Sequence, residues 1–120
     1  MSIRKPGLVC NYLAEVAVGK HLIVKFGSAD GAIVPGAAAA DSLIGVSTDV
    51  PADAGERCDV FRSGIVPVVY GGNVTKGDLL TCDANSKAVV ASSGERIVGC
   101  AEVSGVANDI GSVCLSLGVA

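Results

Sequence analysis

The chain has very few aromatic side chains and no excess of basic ones. Its 120 residues include two Phe, two Tyr and no Trp, and the formal net charge is −3. Proteins that bind duplex nucleic acid normally carry a basic face, and proteins that bind single strands need aromatic rings on which bases stack. We therefore expect no direct contact with nucleic acid.

Long apolar runs are lacking as well. Arg4 and Lys5 precede apolar residues near the start, but Asn11 and Glu15 interrupt that run, so it does not read as an export signal. No stretch approaches the roughly 20 apolar residues that a membrane-spanning helix requires. We expect a soluble protein that is made in the cytoplasm and has no membrane partner.

The sequence also lacks a constellation of residues for catalysis or for metal or cofactor binding. His21 has no serine, cysteine or carboxylate at the spacing of a nucleophile motif. The glycines near residues 64 and 71 lack the dinucleotide-binding pattern and a following helix. The carboxylates within residues 49–59 lack the glycine-punctuated alternation of a calcium loop. We expect no enzyme activity, no catalytic or metal-binding residue and no cofactor.

The five cysteines include no C-x-x-C pair, and their number is odd. A zinc site needs closer ligand spacing, and a disulfide framework is unusual in a cytosolic chain. The pattern favours reduced thiols that pack in the core as small hydrophobic groups.

The chain is rich instead in β-branched and small residues, with 50% hydrophobic residues and 16 glycines. Residues 64–91 alternate apolar runs with turns: strands are predicted at 65–69, 79–82 and 88–91, separated by turns rich in glycine, aspartate and asparagine. Pro67 cannot donate a hydrogen bond to a neighbouring strand, so it predicts a sheet edge or a bulge.

This pattern occurs twice, about half a chain apart. The matching segments, in order, are Gly7-Leu8-Val9 with Gly64-Ile65-Val66, Gly31-Ala32-Ile33-Val34 with Lys87-Ala88-Val89-Val90, Leu43-Ile44-Gly45-Val46 with Ile97-Val98-Gly99-Cys100, and Gly55-Glu56-Arg57-Cys58 with Gly111-Ser112-Val113-Cys114. If Cys58 is matched with Cys114, the apolar residues of the two strands point to opposite faces, so we predict a bulge or a one-residue shift there.

We predict one β domain over residues 1–120, with approximate repeats 7–62 and 64–117. Each half would form about five short strands whose apolar face needs a partner, so the halves would close on each other with approximate two-fold symmetry. The predicted fold class is all-β, a small compact barrel or sandwich of the β-clip or β-tulip kind. Alternation alone does not distinguish a barrel from a sandwich.

Residues 1–7 lie outside the strong repeat and contain a proline. They form either an untidy terminus or a free N-terminal arm that adds to a sheet edge of a partner. The candidate contact residues of such an arm are Ser2, Ile3, Arg4, Lys5 and Pro6.

Several short motifs together resemble one protein family. These motifs are Ala14-Glu15 leading into Val18-Gly19-Lys20, Leu43-Ile44-Gly45-Val46, Gly64-Ile65-Val66-Pro67-Val68, Lys76-Gly77-Asp78-Leu79-Leu80 and Ile97-Val98-Gly99-Cys100-Ala101. In order and spacing they look like the small capsid cement, or head decoration, proteins of tailed bacteriophages, a family long labelled as a domain of unknown function, DUF2190. The resemblance covers nearly the whole chain, although the cysteines are not part of its pattern.

The resemblance implies a non-enzymatic structural protein of the virion. Such proteins bind the outer surface of the expanded capsid, commonly as trimers at three-fold and quasi-three-fold positions, and brace it against internal DNA pressure. The implied partners are the major capsid protein and further copies of the chain, as a trimer or alternatively a dimer. The implied location is the capsid surface, after synthesis in the host cytoplasm.

Two alternatives remain from the residues themselves. The segment Thr75-Lys76-Gly77-Asp78-Leu79-Leu80 resembles turns of β-clip or biotinyl-like binding modules, although Lys87 lacks the Met-Lys context of a modified lysine. The acidic residues of 49–59 would be the only basis for a small enzyme accessory domain. A covalent cofactor would alter the intact mass, and an enzyme would lose a measured activity when Asp49 or Asp53 is replaced.

Overall fold

The structure is a computed structural model that describes residues 5–120. Strands alone make up the regular structure of this part of the chain, and it contains no helix. The eleven strands are β1 (Lys5–Pro6), β2 (Val9–Ala14), β3 (Ile23–Phe26), β4 (Ala32–Pro35), β5 (Leu43–Ser47), β6 (Arg57–Phe61), β7 (Gly64–Val69), β8 (Leu79–Cys82), β9 (Ala88–Val90), β10 (Arg96–Ala101) and β11 (Ile110–Val119).

The first half of the chain forms a closed barrel in the order β2-β4-β3-β5-β6. Strands β2 and β4 run parallel, and the other neighbours are antiparallel. Alternate residues point inward, as the two-residue period of a strand requires. The barrel interior contains Ala14, Val18, Val24, Ile33, Ile44, Ala52, Cys58 and Val60, with Tyr12 packed against them.

The second half forms a six-stranded sheet in the order β1-β7-β11-β10-β8-β9. A single parallel bridge between Tyr70 and Ala88 leads from β9 back to β7. The sheet therefore curls in the same strand order as the barrel, but its seam is almost unpaired.

The two halves share one pattern of strand pairing. Val24 lies opposite Gly45 in the first half, and Leu80 lies opposite Gly99 in the second. Three further pairs match in the same way, with the first-half pair given first: Val46–Phe61 matches Cys100–Cys114, Leu13–Arg57 matches Val69–Ile110, and Lys25–Val34 matches Thr81–Val89. We call residues equivalent when they hold the same place in matching pairs. The repeat boundaries 7–62 and 64–117 remain a prediction, which this shared pattern supports.

Unusual backbone conformations follow the same correspondence. Within residues 5–120, three residues other than glycine have a positive φ, a region that glycine enters without strain and other residues rarely occupy. Each of them is equivalent to a glycine with positive φ in the other half. The pairs are His21 with Gly77, Ser86 with Gly31, and Asn108 with Gly55.

The pairings correct the match between Cys58 and Cys114. Cys58 lies opposite Tyr12, and Gly111 lies opposite Val68, so Cys58 is equivalent to Gly111. Cys114 is equivalent to Phe61. A register shift does occur in the β10–β11 ladder, between Ile97 and Gly99.

The seam of the second half is open because residues 21–23 of the first half lie in it. In the barrel, the Leu13 N–H donates directly to the Gly31 carbonyl at 2.9 Å. In the second half, the equivalent Val69 N–H donates to the His21 carbonyl at 3.0 Å. The Ser86 carbonyl, equivalent to that of Gly31, accepts from the Ile23 N–H at 2.8 Å. A piece of the first half thus completes the second.

The prediction of a small all-β fold built from two similar halves is confirmed. The first half is a barrel rather than one layer of a sandwich, because its five strands close on themselves. Pro67 lies in β7 opposite Ser112, beyond the two residues that pair with β1. This is the edge position that a proline in a strand predicts.

One large side chain distinguishes the interiors of the two halves. Tyr70 is fully buried, and its hydroxyl donates to the Val103 carbonyl at 2.7 Å. Its ring lies over Gly105 and Gly111. The equivalent positions in the barrel hold Ala14, Ala52 and Cys58. In the second half a tyrosine therefore lies beside two glycines, whereas in the barrel an alanine lies beside another alanine and a cysteine.

Candidate interaction surfaces

The candidate residues for catalysis or metal binding do not form a common site in the described part of the chain. Among residues 5–120, no group of three or more His, Cys, Asp or Glu side chains could hold a metal ion. In the acidic loop, the Glu56 carboxylate accepts a hydrogen bond from the Asp53 N–H at 2.7 Å and so orders the turn. The backbone of His21 lies in the seam between the halves, where it pairs with Thr48 and Val69. In the described part of the chain, no helix is long and apolar enough to span a membrane.

The cysteines fall into two groups, and all five are free. Cys58 and Cys82 are buried, and burial raises the pKa of both thiols, that of Cys82 to about 12. These two match the interpretation as protonated core thiols. Cys10, Cys100 and Cys114 are only partly buried, so three thiols lie at or near the surface, which the sequence did not indicate.

The candidate N-terminal arm is only partly covered by the structure. Ser2, Ile3 and Arg4 lie outside the described residues. Lys5 and Pro6 form β1, opposite Ile65 and Gly64 of the same chain. A role of these five residues in contacting a capsid remains a prediction.

A first exposed surface lies on the second half, and we call it the Leu79 face. It consists of Leu79, Ile97, Cys100 and Cys114. Leu79 lies opposite Cys100, which in turn lies opposite Cys114, so the three side chains form a row across β8, β10 and β11. Leu79 is 43% exposed, and the other three residues are partly exposed. The row contains no charged side chain.

The equivalent residues of the first half are fully covered. Ile23, Leu43, Val46 and Phe61 are at most 3% exposed. They point away from the barrel interior and join the core cluster of the second half. The second half of the same chain therefore covers the first-half counterpart of the Leu79 face.

A second exposed surface lies on the first half, and we call it the Phe26 face. It consists of Cys10, Tyr12, Phe26 and Arg62. Phe26 is 51% exposed, and the Arg62 guanidinium lies 6.0 Å from its ring centroid, within the range of a cation–π interaction. Arg62 also donates a hydrogen bond to the Tyr12 hydroxyl. On their strands these side chains point to the same side as the barrel interior, so they line the mouth of the barrel, and all four remain at least partly accessible.

The second-half equivalents of the Phe26 face are buried. They are Val66, Val68, Cys82 and Leu115, and all belong to the core cluster that contains Ile23, Leu43, Val46 and Phe61. Each half thus buries a face that the other half exposes. This corrects the expected two-fold symmetry, because a two-fold axis between the halves would bury equivalent residues equally. The halves are instead arranged head to tail.

A third feature is a groove of about 590 Å³ between the residue 38–40 loop and the hairpin of β10 and β11. Glu95, Arg96 and Val119 are among the residues that line it. The Asp41 carboxylate accepts hydrogen bonds from the Ala37 and Ala38 N–H groups and fixes the loop, and these bonds lower the pKa of that carboxyl.

Comparison with known proteins identifies the family. The sequence model described as phage cement protein matches residues 5–116. The chain belongs to the phage cement protein family. The resemblance seen in the sequence motifs is therefore confirmed, and family membership gives the chain a structural role in the phage capsid.

A solved structure shares the fold of this cement protein. It is the N base of head fiber gp8.5 in bacteriophage phi29, with a TM-score of 0.70 and 16% sequence identity. The match covers 91% of the cement protein and 93% of the head fiber chain. No curated protein sequence matches the cement protein.

Sequence reasoning missed both faces of this cement protein. Leu79 and Phe26 read as ordinary strand residues, because alternation shows which side of a strand is apolar but not which half covers it. Recognising the two faces requires the head-to-tail arrangement of the halves, which the repeat in the sequence does not indicate.

Proposed function

We propose that this chain is a decoration, or cement, protein that binds the outer surface of the expanded capsid of a tailed phage. There it stabilises the shell against the pressure of the packaged DNA. The observation that carries this proposal is the match of the phage cement family to residues 5–116. The proposed binding partner is the major capsid protein, and the chain acts without catalysis.

The physical properties of the chain suit this role. Within residues 5–120 all regular structure is β-strand, and the long ladder of β2 with β6 joins distant parts of the sequence. A net charge of −3 limits attraction to DNA. Many copies on one shell need only a modest affinity each, because contacts between neighbouring copies add to capsid binding. We propose a trimer at three-fold and quasi-three-fold positions of the shell.

The first test is co-sedimentation of the purified protein with undecorated, expanded capsids. We expect saturable binding to expanded capsids and none to unexpanded procapsids of the same phage, because the proposed partner is the outer surface of the expanded shell. Decorated capsids should also release their DNA at a higher temperature than undecorated ones. Failure to bind expanded capsids at any salt concentration would exclude the cement role.

The proposed arm gives a second prediction. Deleting residues 1–4 removes Ser2, Ile3 and Arg4 but leaves β1, which pairs with β7. We expect at least a tenfold loss of affinity for expanded capsids, since an arm that pairs with a partner strand supplies backbone hydrogen bonds. The melting temperature of the free protein should not change.

The control for this deletion is the double variant Arg4→Ala and Lys5→Ala in the full-length chain. If the arm acts through its backbone, the double variant binds nearly as well as the wild type. If it acts through charge, the double variant loses most of the affinity and the loss depends on salt. Unchanged binding after the deletion would show that the arm has no role.

A further inference from the structure

The two exposed faces point to a specific contact between copies of this chain. We propose that the Leu79 face of one copy docks on the Phe26 face of the next, head to tail, and thereby repeats between chains the contact that joins the two halves within a chain. This inference deepens the oligomer proposed above by naming the surfaces that form it. It concerns the free protein and can be tested without capsids.

The first support is the contact inside the chain. Ile23, Leu43, Val46 and Phe61 of the first half are covered by the second half, at the side formed by Val66, Val68, Cys82 and Leu115. The Leu79 face is equivalent to the first group, and the Phe26 face is equivalent to the second. The fold therefore shows what kind of surface covers the first-half counterpart of the Leu79 face, and each copy carries the equivalent of that covering surface exposed.

The second support is the distribution of side-chain size across the contact. Inside the chain, one side of the contact carries Phe61 and Val46, and the other side carries Cys82 and Val68, so the bulkiest of these side chains lies on the first side. On the free faces the sizes are exchanged: the Leu79 face carries Cys114 and Cys100 at the positions of Phe61 and Val46. The Phe26 face carries Phe26 and Tyr12 at the positions of Cys82 and Val68. Bulk lost on one face is gained on the other, as close packing of the two faces requires.

The proposed contact between copies differs from the contact inside the chain in one respect, the state of the seam. Within the chain, residues 21–23 enter the open seam of the second half. The barrel seam is already closed by the bond from the Leu13 N–H to the Gly31 carbonyl. The equivalent residues 77–79 of a second copy therefore dock against a closed barrel mouth, with apolar contacts and without strand insertion.

A head-to-tail contact uses two different surfaces, and this makes it open to a decisive experiment. Such contacts close into rings when the rotation between copies permits, whereas a two-fold contact uses the same surface on both copies. The proposed variants are Leu79→Glu on one face and Phe26→Glu on the other. Both positions are largely exposed, at 43% and 51%, so we expect both variants to fold. Circular dichroism and the melting temperature of each variant, measured at a dilution where the wild type is monomeric, check this.

Mass is measured by sedimentation over a wide concentration range. The wild type should form an oligomer of defined mass, and each variant should be monomeric, with self-association weakened at least a hundredfold by a charge buried at the contact. An equimolar mixture of the two variants should form a one-to-one dimer that grows no further, because each variant retains one intact face. The matched control Val50→Glu, at an exposed apolar residue outside both faces, should assemble like the wild type.

Other outcomes overturn the proposal. Assembly of the Phe26→Glu variant with wild-type affinity would show that the Leu79 face pairs with itself. A mixture that stays monomeric would show that the two faces do not meet. A wild type that is monomeric at every concentration would leave the Leu79 face to the capsid, and capsid binding by that monomer would then keep the proposed function while excluding this inference.

The partly exposed cysteines supply an independent measurement on the unmodified chain. Cys10 lies on the Phe26 face, and Cys100 and Cys114 lie on the Leu79 face. Head-to-tail assembly should slow alkylation of all three together as the protein concentration rises, as read by mass spectrometry of the labelled peptides. Protection of Cys100 and Cys114 without Cys10 would again indicate that like faces pair, and no protection of any thiol would exclude the contact.

Discussion

Replacing Gly111 by alanine should lower the free energy of unfolding by about 3 kcal/mol, the upper part of the usual range for overpacking a core. A Cβ atom at this position would lie within 2.5 Å of the Tyr70 ring. The ring has no room to move, because it is fully buried and its hydroxyl bonds to the Val103 carbonyl. The backbone of Gly111 is not left-handed, so the cost is steric. Denaturant unfolding followed by circular dichroism measures it.

The same substitution should become harmless once the ring is removed. Tyr70→Ala alone costs about 3–5 kcal/mol as a large-to-small core change. The double variant Tyr70→Ala, Gly111→Ala should be no less stable than Tyr70→Ala alone, since the barrel already combines Ala14 with Cys58 at the equivalent positions. Additive losses in this double-mutant cycle would show that the ring and Gly111 are not coupled. Gly118→Ala in the same strand is the control, because its Cβ would meet nothing closer than 3.7 Å.

Alanine at Gly45 or at Gly99 should cost about 3 kcal/mol or more, because the obstacle is backbone rather than a side chain. A Cβ on Gly45 would collide with the Phe61 carbonyl oxygen, and one on Gly99 with the Cys114 carbonyl oxygen. Both carbonyls belong to neighbouring strands, so relief of the collision requires strands to separate. The melting temperature and the denaturant midpoint of each variant report the loss.

The two glycines also test whether equivalent positions behave alike. We expect similar losses at both, since each sits opposite the equivalent residue of the neighbouring strand, Val24 or Leu80. Gly72→Ala serves as the control, because the nearest atom to its Cβ would be 4.0 Å away. A loss below 1 kcal/mol at either Gly45 or Gly99 would contradict the close approach of the strands there.

Local pattern predicted much of the fold. The strands predicted at 79–82 and 88–91 correspond to β8 and β9, and the predicted turn between them does connect the two. These predictions succeeded because turn residues and strand alternation act over a few neighbouring positions. The match between Gly45 and Gly99 also agrees with the strand pairing, because both glycines lie against a carbonyl oxygen of a neighbouring strand.

Predictions that needed long-range information were less accurate. Cys58 was matched with Cys114 by residue type, but each of the three connections after β8 is one residue shorter than its first-half counterpart, so the true equivalent is Gly111. The need for glycine at position 111 could not be recognised from sequence, because it arises from the Tyr70 ring, which approaches from another strand. The head-to-tail arrangement was missed for a similar reason: periodicity gives the faces of each half but not their mutual orientation.

The candidate surfaces show the same limit. The sequence identified residues 2–6 as a possible contact because they lie outside the repeat, and nothing in the structure tests their role. It did not identify Leu79 or Phe26, whose exposure follows from which half covers which. Exposure of an apolar residue is a property of the assembled halves, so local pattern cannot supply it.

The segment formed by residues 21–23 has a consequence for biosynthesis. The barrel closes with hydrogen bonds among residues that leave the ribosome first, and it needs nothing from the second half to do so. The second half lacks that independence, because its seam is completed by His21 and Ile23. During vectorial synthesis we therefore expect the barrel to close before the second half, whose seam then forms around residues that are already in place.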